Sequence, residues 1–353
     1  MDTNSSTKTS KPRQRCDAPL ATPTDLTQPA SKDIAGAMNA IVPISRRHFL
    51  ASTAMATAAV WLMPRRIFAD GESPVIVIRN AAATTKINVT KLRGNVSVLE
   101  GSGGNIAVLT GRDGKLLVDA GITASRPRIN EALTGISSDP VKHLINTHWH
   151  FDHTDGNEWL HSVGAEITAH ENTRKHLSVT TRVEGWNFTF PPAPKGALPT
   201  KVFEKDLKLH LNGTTLALDH YPPAHTDSDI FIEFTDADII HVADTFWNGY
   251  FPFIDYSTGG SIDGMIRAAE ANIARVSDKT IVIPGHGPIG NKSQLIEFRD
   301  MLVSVREKVS ALKKGGRSLD EVLAAKPTGD YDAKWGGFVI DGKNFTGLVY
   351  QGV

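Results

Sequence analysis

The chain has almost no cysteine, no apolar run long enough to span a bilayer and no excess of either charge, and each shortage removes a class of protein. Its 353 residues include one cysteine, Cys16, which excludes a disulfide framework and a metal site built from several thiolates. The one candidate membrane segment, Phe49 to Met63, has fifteen residues, short of the eighteen or more that a spanning helix needs. Lys plus Arg and Asp plus Glu both number 38, so there is no basic surplus to drive nucleic-acid binding. No repeat period points to a solenoid or array.

The first 69 residues read as separate from the working protein. Residues 1–43 are rich in Ser, Thr, Pro, Lys and Asp without apolar periodicity, a composition that cannot bury enough surface to fold. Ser45-Arg46-Arg47-His48-Phe49-Leu50 then runs into an Ala/Thr-rich apolar stretch closed by Arg65-Arg66. This resembles a twin-arginine signal peptide, with Ala69/Asp70 as the expected cleavage point. The resemblance implies the twin-arginine export machinery as a partner and the periplasm as destination. Because that machinery moves folded proteins, metal could be loaded before export. Nine of the Lys/Arg and four of the Asp/Glu lie before residue 70, so the remainder, residues 70–353, is net acidic by five and carries no thiol. Its length is enough for one large domain.

Short β-rich runs alternate with helical ones from Lys86 onward. Val96 to Leu99, Ile106 to Leu109 and Lys115 to Asp119 read as strands between Gly-rich turns, one of them Gly101-Ser102-Gly103-Gly104-Asn105. Helices are expected over Arg126 to Leu133, Gly156 to His161, Glu171 to Leu177, Met265 to Val276, Lys292 to Leu312 and Leu319 to Ala325. Further strands are expected at Val141 to Ile145, Ile167 to Ala169, Leu207 to Leu211, Thr215 to His220, Ile230 to Phe234, Ile239 to Val242 and Ile281 to Ile283. The segment from Trp335 to Val353 is expected to lie across a sheet. Two aromatic loops, Trp186 to Pro192 and Phe246 to Phe253, serve equally well as walls of a substrate cleft or as cover for the core.

Most of the chemistry gathers in Thr147-His148-Trp149-His150-Phe151-Asp152-His153, just after the apolar run Val141 to Ile145. Buried imidazoles and carboxylates without partners lose hydration for no return. A metal ion removes that penalty, since neutral imidazole and carboxylate are ligands for Zn, Mn and Fe. His225, Asp244 and His286 each stand where an apolar run ends. The other histidines read as structural residues, with an outer supporting role open to His170 or His220. Ser228 lacks the Gly-x-Ser-x-Gly setting of a nucleophile.

In order and residue type, His148, His150, Asp152, His153, His225, Asp244 and His286 resemble the ligand set of the metallo-β-lactamase-fold hydrolases, in the variety that glyoxalase II carries. The resemblance covers Asn95 to Pro288 and includes the strand ending at Asp119. It implies an α+β fold, a four-layer αββα sandwich. It also implies two divalent metal ions, zinc in the first instance with iron or manganese as alternatives. By position, His148, His150 and His225 would hold one ion, Asp152, His153 and His286 the other, and Asp244 would bridge them. Two such ions share a water whose pKa falls to about 7, and the resulting hydroxide would attack the carbonyl of a small substrate. Asp152 is the expected catalytic residue, a ligand that also orients the nucleophile. Asp119 is expected to fix backbone or a ligand imidazole rather than to bind metal.

The chain departs from the best-known β-lactamase pattern, which has cysteine at the Asp244 position and lysine three residues later, here Trp247. Ala243 replaces a usual glycine. The expected activity is hydrolysis of a β-lactam first, with lactone, ester and thioester as other substrates. An iron-dependent oxygenase or sulfur dioxygenase and a non-catalytic metal-binding accessory protein are the alternatives.

Overall fold

The computed structural model divides the chain at Met63/Pro64 into two units and describes residues 73–353. The expected disordered extension, signal peptide and cleavage point fall outside the described residues.

The described chain begins with helix α1 (Pro74–Ala82), which Pro74 starts in the first helical turn and Ser73 caps. Strands β1 (Asn88–Lys91), β2 (Val96–Glu100), β3 (Ile106–Leu109) and β4 (Lys115–Val118) form an antiparallel meander. After helix α2 (Arg126–Ile136), β5 (Val141–Ile145) pairs parallel with β4. Helices α3 (Phe151–Thr154) and α4 (Asn157–Ser162) follow, then β6 (Glu166–His170) and α5 (Glu171–Ser178). A small hairpin, β7 (Thr181–Val183) with β8 (Phe188–Phe190), precedes β9 (Lys201–Phe203), which completes a seven-stranded sheet ordered β1-β2-β3-β4-β5-β6-β9.

The second sheet has five strands in sequence order: β10 (Asp206–Leu211), β11 (Thr214–His220), β12 (Ile230–Phe234), β13 (Ile239–Trp247) and β14 (Ile281–His286). All neighbours are antiparallel except β13 and β14. Between those two lies α6 (Ile262–Arg275), and after them come α7 (Lys292–Lys314), α8 (Leu319–Ala324), α9 (Asp332–Trp335) and α10 (Gly342–Gly352). Side chains of Ser261, Asn291, Ser318 and Asp341 cap α6, α7, α8 and α10, satisfying amide groups that the first turn leaves free.

Strand alternation builds the layers. Val96, Val98, Ala107, Leu109, Leu116 and Val118 of the first sheet pack with Leu216, Leu218, Ile230, Ile232, Phe234 and Ile239 of the second. The neighbours of these residues point the other way: Ile106, Val108 and Leu117 meet Ile129 and Leu133 of α2 and Leu160 of α4. On the far side, Phe231, Ile240 and Val242 meet Met265 of α6 and Phe298 and Leu302 of α7. Two sheets face to face with helices outside give the expected αββα sandwich. Among the described residues no helix is long and apolar enough to cross a membrane.

Several expected boundaries change. Strand β13 runs to Trp247, not Val242, so Asp244, Phe246 and Trp247 belong to a strand buried along its whole length. Part of the other aromatic loop is the β7–β8 hairpin, whose three-residue strands are too short to show a period. The last segment does not lie across a sheet. It forms α9 and α10, and α10 packs on α6, α7 and α8.

Candidate metal centre

Parallel pairing brings the functional side chains to one edge of the sandwich, because β4, β5, β13 and β14 all end there. Beyond β5 the chain bends over Thr147, His148 and Trp149, is extended at His150 and then makes the single turn of α3, in which the amides of His153 and Thr154 donate to the carbonyl of His150 at 3.1 Å. That turn swings Asp152 and His153 to the side where the other candidate ligands gather. His225 comes from the loop before β12, Asp244 from within β13, and His286 is the last residue of β14.

All seven sequence-predicted residues converge, and all are buried. They fall into two groups, His148, His150, His225 and Asp244 in one and Asp152, His153 and His286 in the other, with the candidate ligand atoms of each group within 4.8 Å of one another. Asp244 stands between them. Its Oδ2 lies 3.4 Å from Nε2 of His225 and 3.4 Å from Nε2 of His286, and its Oδ1 lies 3.1 Å from Nε2 of His153.

Each of four imidazoles has one nitrogen engaged behind the site, which leaves the other free to face inward. His148 Nδ1 contacts Thr147 Oγ1 at 3.0 Å, His150 Nε2 contacts Asp255 Oδ2 at 3.0 Å, His153 Nδ1 contacts Asp119 Oδ2 at 2.7 Å, and His225 Nδ1 contacts the carbonyl of Phe253 at 2.8 Å. The carbonyl of Phe253 and the carboxylate of Asp255 only accept, so His225 Nδ1 and His150 Nε2 are the donors. Neutral rings then present bare lone pairs at His225 Nε2 and His150 Nδ1, which stand 2.8 Å apart.

The remaining inward atoms tell the same story. Nε2 of His148, His153 and His286 and Oδ1 of Asp244 are buried and make no well-aligned hydrogen bond; they face one another at ion-pair distance instead. Buried polar atoms left this way are rare in folded proteins, and here they converge. A divalent cation in each group would satisfy them, and the donor set of imidazole and carboxylate suits zinc, iron or manganese.

Electrostatics divides the site. Burial lowers His148 well below the ordinary histidine value, helped by His153 and opposed by Asp244. Burial also lowers His150 against the pull of Asp255. Burial acts on His286 in the same sense, but Asp244 and Asp152 outweigh it and raise this ring to about 9. His153 is likewise carried well above its ordinary value, burial notwithstanding, by Asp244 and Asp119. Burial would raise Asp244, yet His286, His153 and His225 hold it well below the usual carboxylate range. The group around Asp152, His153 and His286 therefore calls for positive charge, which a bound cation supplies.

Asp119 does what its place at a strand end suggests. It is fully buried, its Oδ1 accepts the Thr147 amide at 2.8 Å, and its Oδ2 accepts the Thr147 hydroxyl at 2.8 Å as well as holding His153. Three supporting features are absent from the sequence reading. Asp255 orients His150 from 105 positions away. Asp229 accepts the amides of His225 and Thr226 at 2.7 and 2.8 Å and shapes their loop. Glycines crowd the ligands: a Cβ on Gly104 would lie 2.1 Å from His153 Cε1, and one on Gly285 would lie 1.9 Å from Asp244 Oδ1. The signal for Gly104 in the sequence is the glycine-rich 101–105 turn, and Gly285 stands directly before His286.

His170 and His220 stack on each other at 3.7 Å, and their Nε2 atoms contact the carbonyls of Glu204 and Asp227 rather than any of the seven. Both aromatic segments prove to be core cover and cleft wall at once. Trp186 and Trp247 are buried, pack at 4.6 Å from His150 and 4.3 Å from His286, and line a cavity onto which Asp152, Asp244 and His286 open.

An αββα sandwich carrying two adjacent His/Asp groups at one edge defines a metallohydrolase-type architecture. Residues 99–289 match the metallo-beta-lactamase superfamily, and the chain belongs to that family. Among solved structures it is similar to the stereoselective inverting sec-alkylsulfatase Pisa1 from Pseudomonas sp., at 16% identity and a TM-score of 0.56, over 80% of this chain and 53% of that one. The DIM-1 metallo-beta-lactamase aligns at 18% identity and a TM-score of 0.49, over 62% of this chain and 97% of its own. The metallo-beta-lactamase from Pontibacter korlensis aligns at 19% identity and 0.49, over 62% and 99%. At such identities the likeness is one of fold, and the chain spans about half the length of the alkylsulfatase.

Proposed function

We propose that this protein is a two-metal hydrolase of a small carbonyl substrate, acting in the periplasm after export by the twin-arginine machinery. The observation that carries the reading is the 2.8 Å approach of His150 Nδ1 to His225 Nε2, both rings being held from behind, beside four inward atoms that make no well-aligned hydrogen bond. His148, His150 and His225 would hold one ion, Asp152, His153 and His286 the other, and Asp244 would serve both. Bound divalent cations, zinc first among them, supply a water of lowered pKa and polarise a carbonyl oxygen.

The chain's own residues do the positioning. Asp152 borders the cavity, 3.3 Å from His286 Nε2 through its Oδ2, where its carboxylate accepts a hydrogen bond from the attacking water and aims a lone pair at the substrate. Trp186, Phe253 and Trp247 exclude bulk water from the same space, which strengthens each electrostatic contact inside it. β-Lactam, lactone, ester and thioester are the substrates to compare. Parallel assays of all four on protein of known metal content test the reading, and metal-replete protein inert toward every class would overturn it.

A further inference from the structure

The cavity beside the metal residues carries information about the substrate beyond its carbonyl. Its volume is about 340 Å³, at the small end for ligand sites. Helix α1 contributes Val77, Ile78 and Ala81 to its lining, and the segment before α10 contributes Phe338, Val339 and Ile340. Among the described residues no lysine or arginine lines it; the ionisable groups that do are Asp152, Asp244 and His286, at the metal end. Arg79 of α1 is turned to a different cavity and held by Asp155 at 3.0 Å. The rim repeats the pattern, since Val77 is 51% exposed and Phe338 44%, two of the few large apolar side chains that the described residues leave in solvent. Exposed apolar surface gathered at a cleft mouth marks a binding site.

A carboxylate or sulfate on the hydrocarbon part of the substrate would meet no counter-charge among the described lining residues, and desolvating it against these walls is costly. We propose that the substrate is an uncharged apolar acyl ester or lactone whose hydrocarbon part lies between α1 and the 338–340 segment. This rests on the hydrolase reading and narrows it, and it ranks β-lactams, which bear a carboxylate, below neutral esters. In the reaction the oxygen of water bonds to the acyl carbon, the acyl–oxygen bond breaks, and the proton lost by the water ends on the leaving oxygen.

Two measurements on the exported, metal-replete protein separate the inference from the reading beneath it. The first is kcat/KM for p-nitrophenyl esters of two- to eight-carbon acids; burial of each added methylene is expected to raise it by up to about fourfold until the cavity is filled. The second needs no turnover: quenching of tryptophan fluorescence by octanamide and by 8-(trimethylammonio)octanamide, whose fixed cation is repelled by the bound metals and must lie against the apolar walls. The neutral ligand is expected to bind at least about tenfold tighter. Val77→Lys and Phe338→Asp, both at exposed positions and outside the catalytic groups, should each weaken octanamide several-fold, and Phe338→Asp should tighten the cationic amide. A flat chain-length series, or the cationic amide bound as tightly as octanamide, would overturn the inference while leaving a hydrolase of short esters. Octanamide bound with the expected preference but no ester hydrolysed would instead place the failure in the hydrolase reading, and the substrate assignment would fall with it.

Discussion

Asp119 Oδ2 lies 2.7 Å from Nδ1 of His153 while the same carboxylate holds the backbone amide of Thr147, the residue before His148. One buried side chain at the end of β4 thus sets the ring of one metal group and the backbone that leads to the other.

Asp119→Ala should lower metal affinity of the Asp152, His153 and His286 group by about 10- to 100-fold, the usual cost of removing an outer partner of a metal-bound histidine. Competition with a chelator reads this directly, and unchanged retention of both ions would contradict the role given to Asp119.

A Cβ on Gly285 would collide with Oδ1 of Asp244 and, at 2.7 Å, with the carbonyl carbon of Ala243. Gly285→Ala should therefore displace the residue that stands between the two groups and reduce the metal content of both, with circular dichroism close to that of the parent. Full metal content would show that β14 can move aside.

Ala243 holds a backbone φ of +46° immediately before Asp244, a left-handed conformation that costs a residue with a Cβ about 1–2 kcal/mol. Ala243→Gly removes that cost and adds some unfolded-state entropy. The expected result is a net gain of about 1 kcal/mol, read as a melting temperature higher by about 2–4 °C. A lower melting temperature would mean that the alanine methyl contributes more packing than it costs in strain.

Asp152→Ala should abolish hydrolysis and leave the far-ultraviolet spectrum unchanged, because its carboxylate faces the cavity and supports no strand pairing. Near-full turnover by this variant would remove Asp152 from the mechanism.

Much of this was legible in the sequence where local pattern and chemistry coincide. His148, His150, Asp152 and His153 sit on one short segment after a buried strand, so their density alone argues for a metal. Asp119 showed itself as a lone carboxylate at the end of an apolar run. Asp255 did not, because an aspartate in a Pro/Gly/aromatic loop looks like any turn residue until the fold brings it to His150. The extent of β13 was hidden for a related reason: Asp244 and Thr245 break the apolar run, yet strand pairing with β14 continues to Trp247. Helix α1 and strands β1 and β9 are too short or too exposed to carry a readable period, although α1 forms one wall of the cavity.

The central claim is that seven buried side chains hold two divalent ions for hydrolysis. Elemental analysis of the exported, natively loaded protein, with nitrocefin and a neutral p-nitrophenyl ester assayed on the same sample, tests it most directly. The account predicts about two ions per chain, zinc foremost, and metal-dependent turnover of at least the neutral ester. One iron per chain with neither substrate hydrolysed would contradict it and point to an oxygen-dependent enzyme in its place.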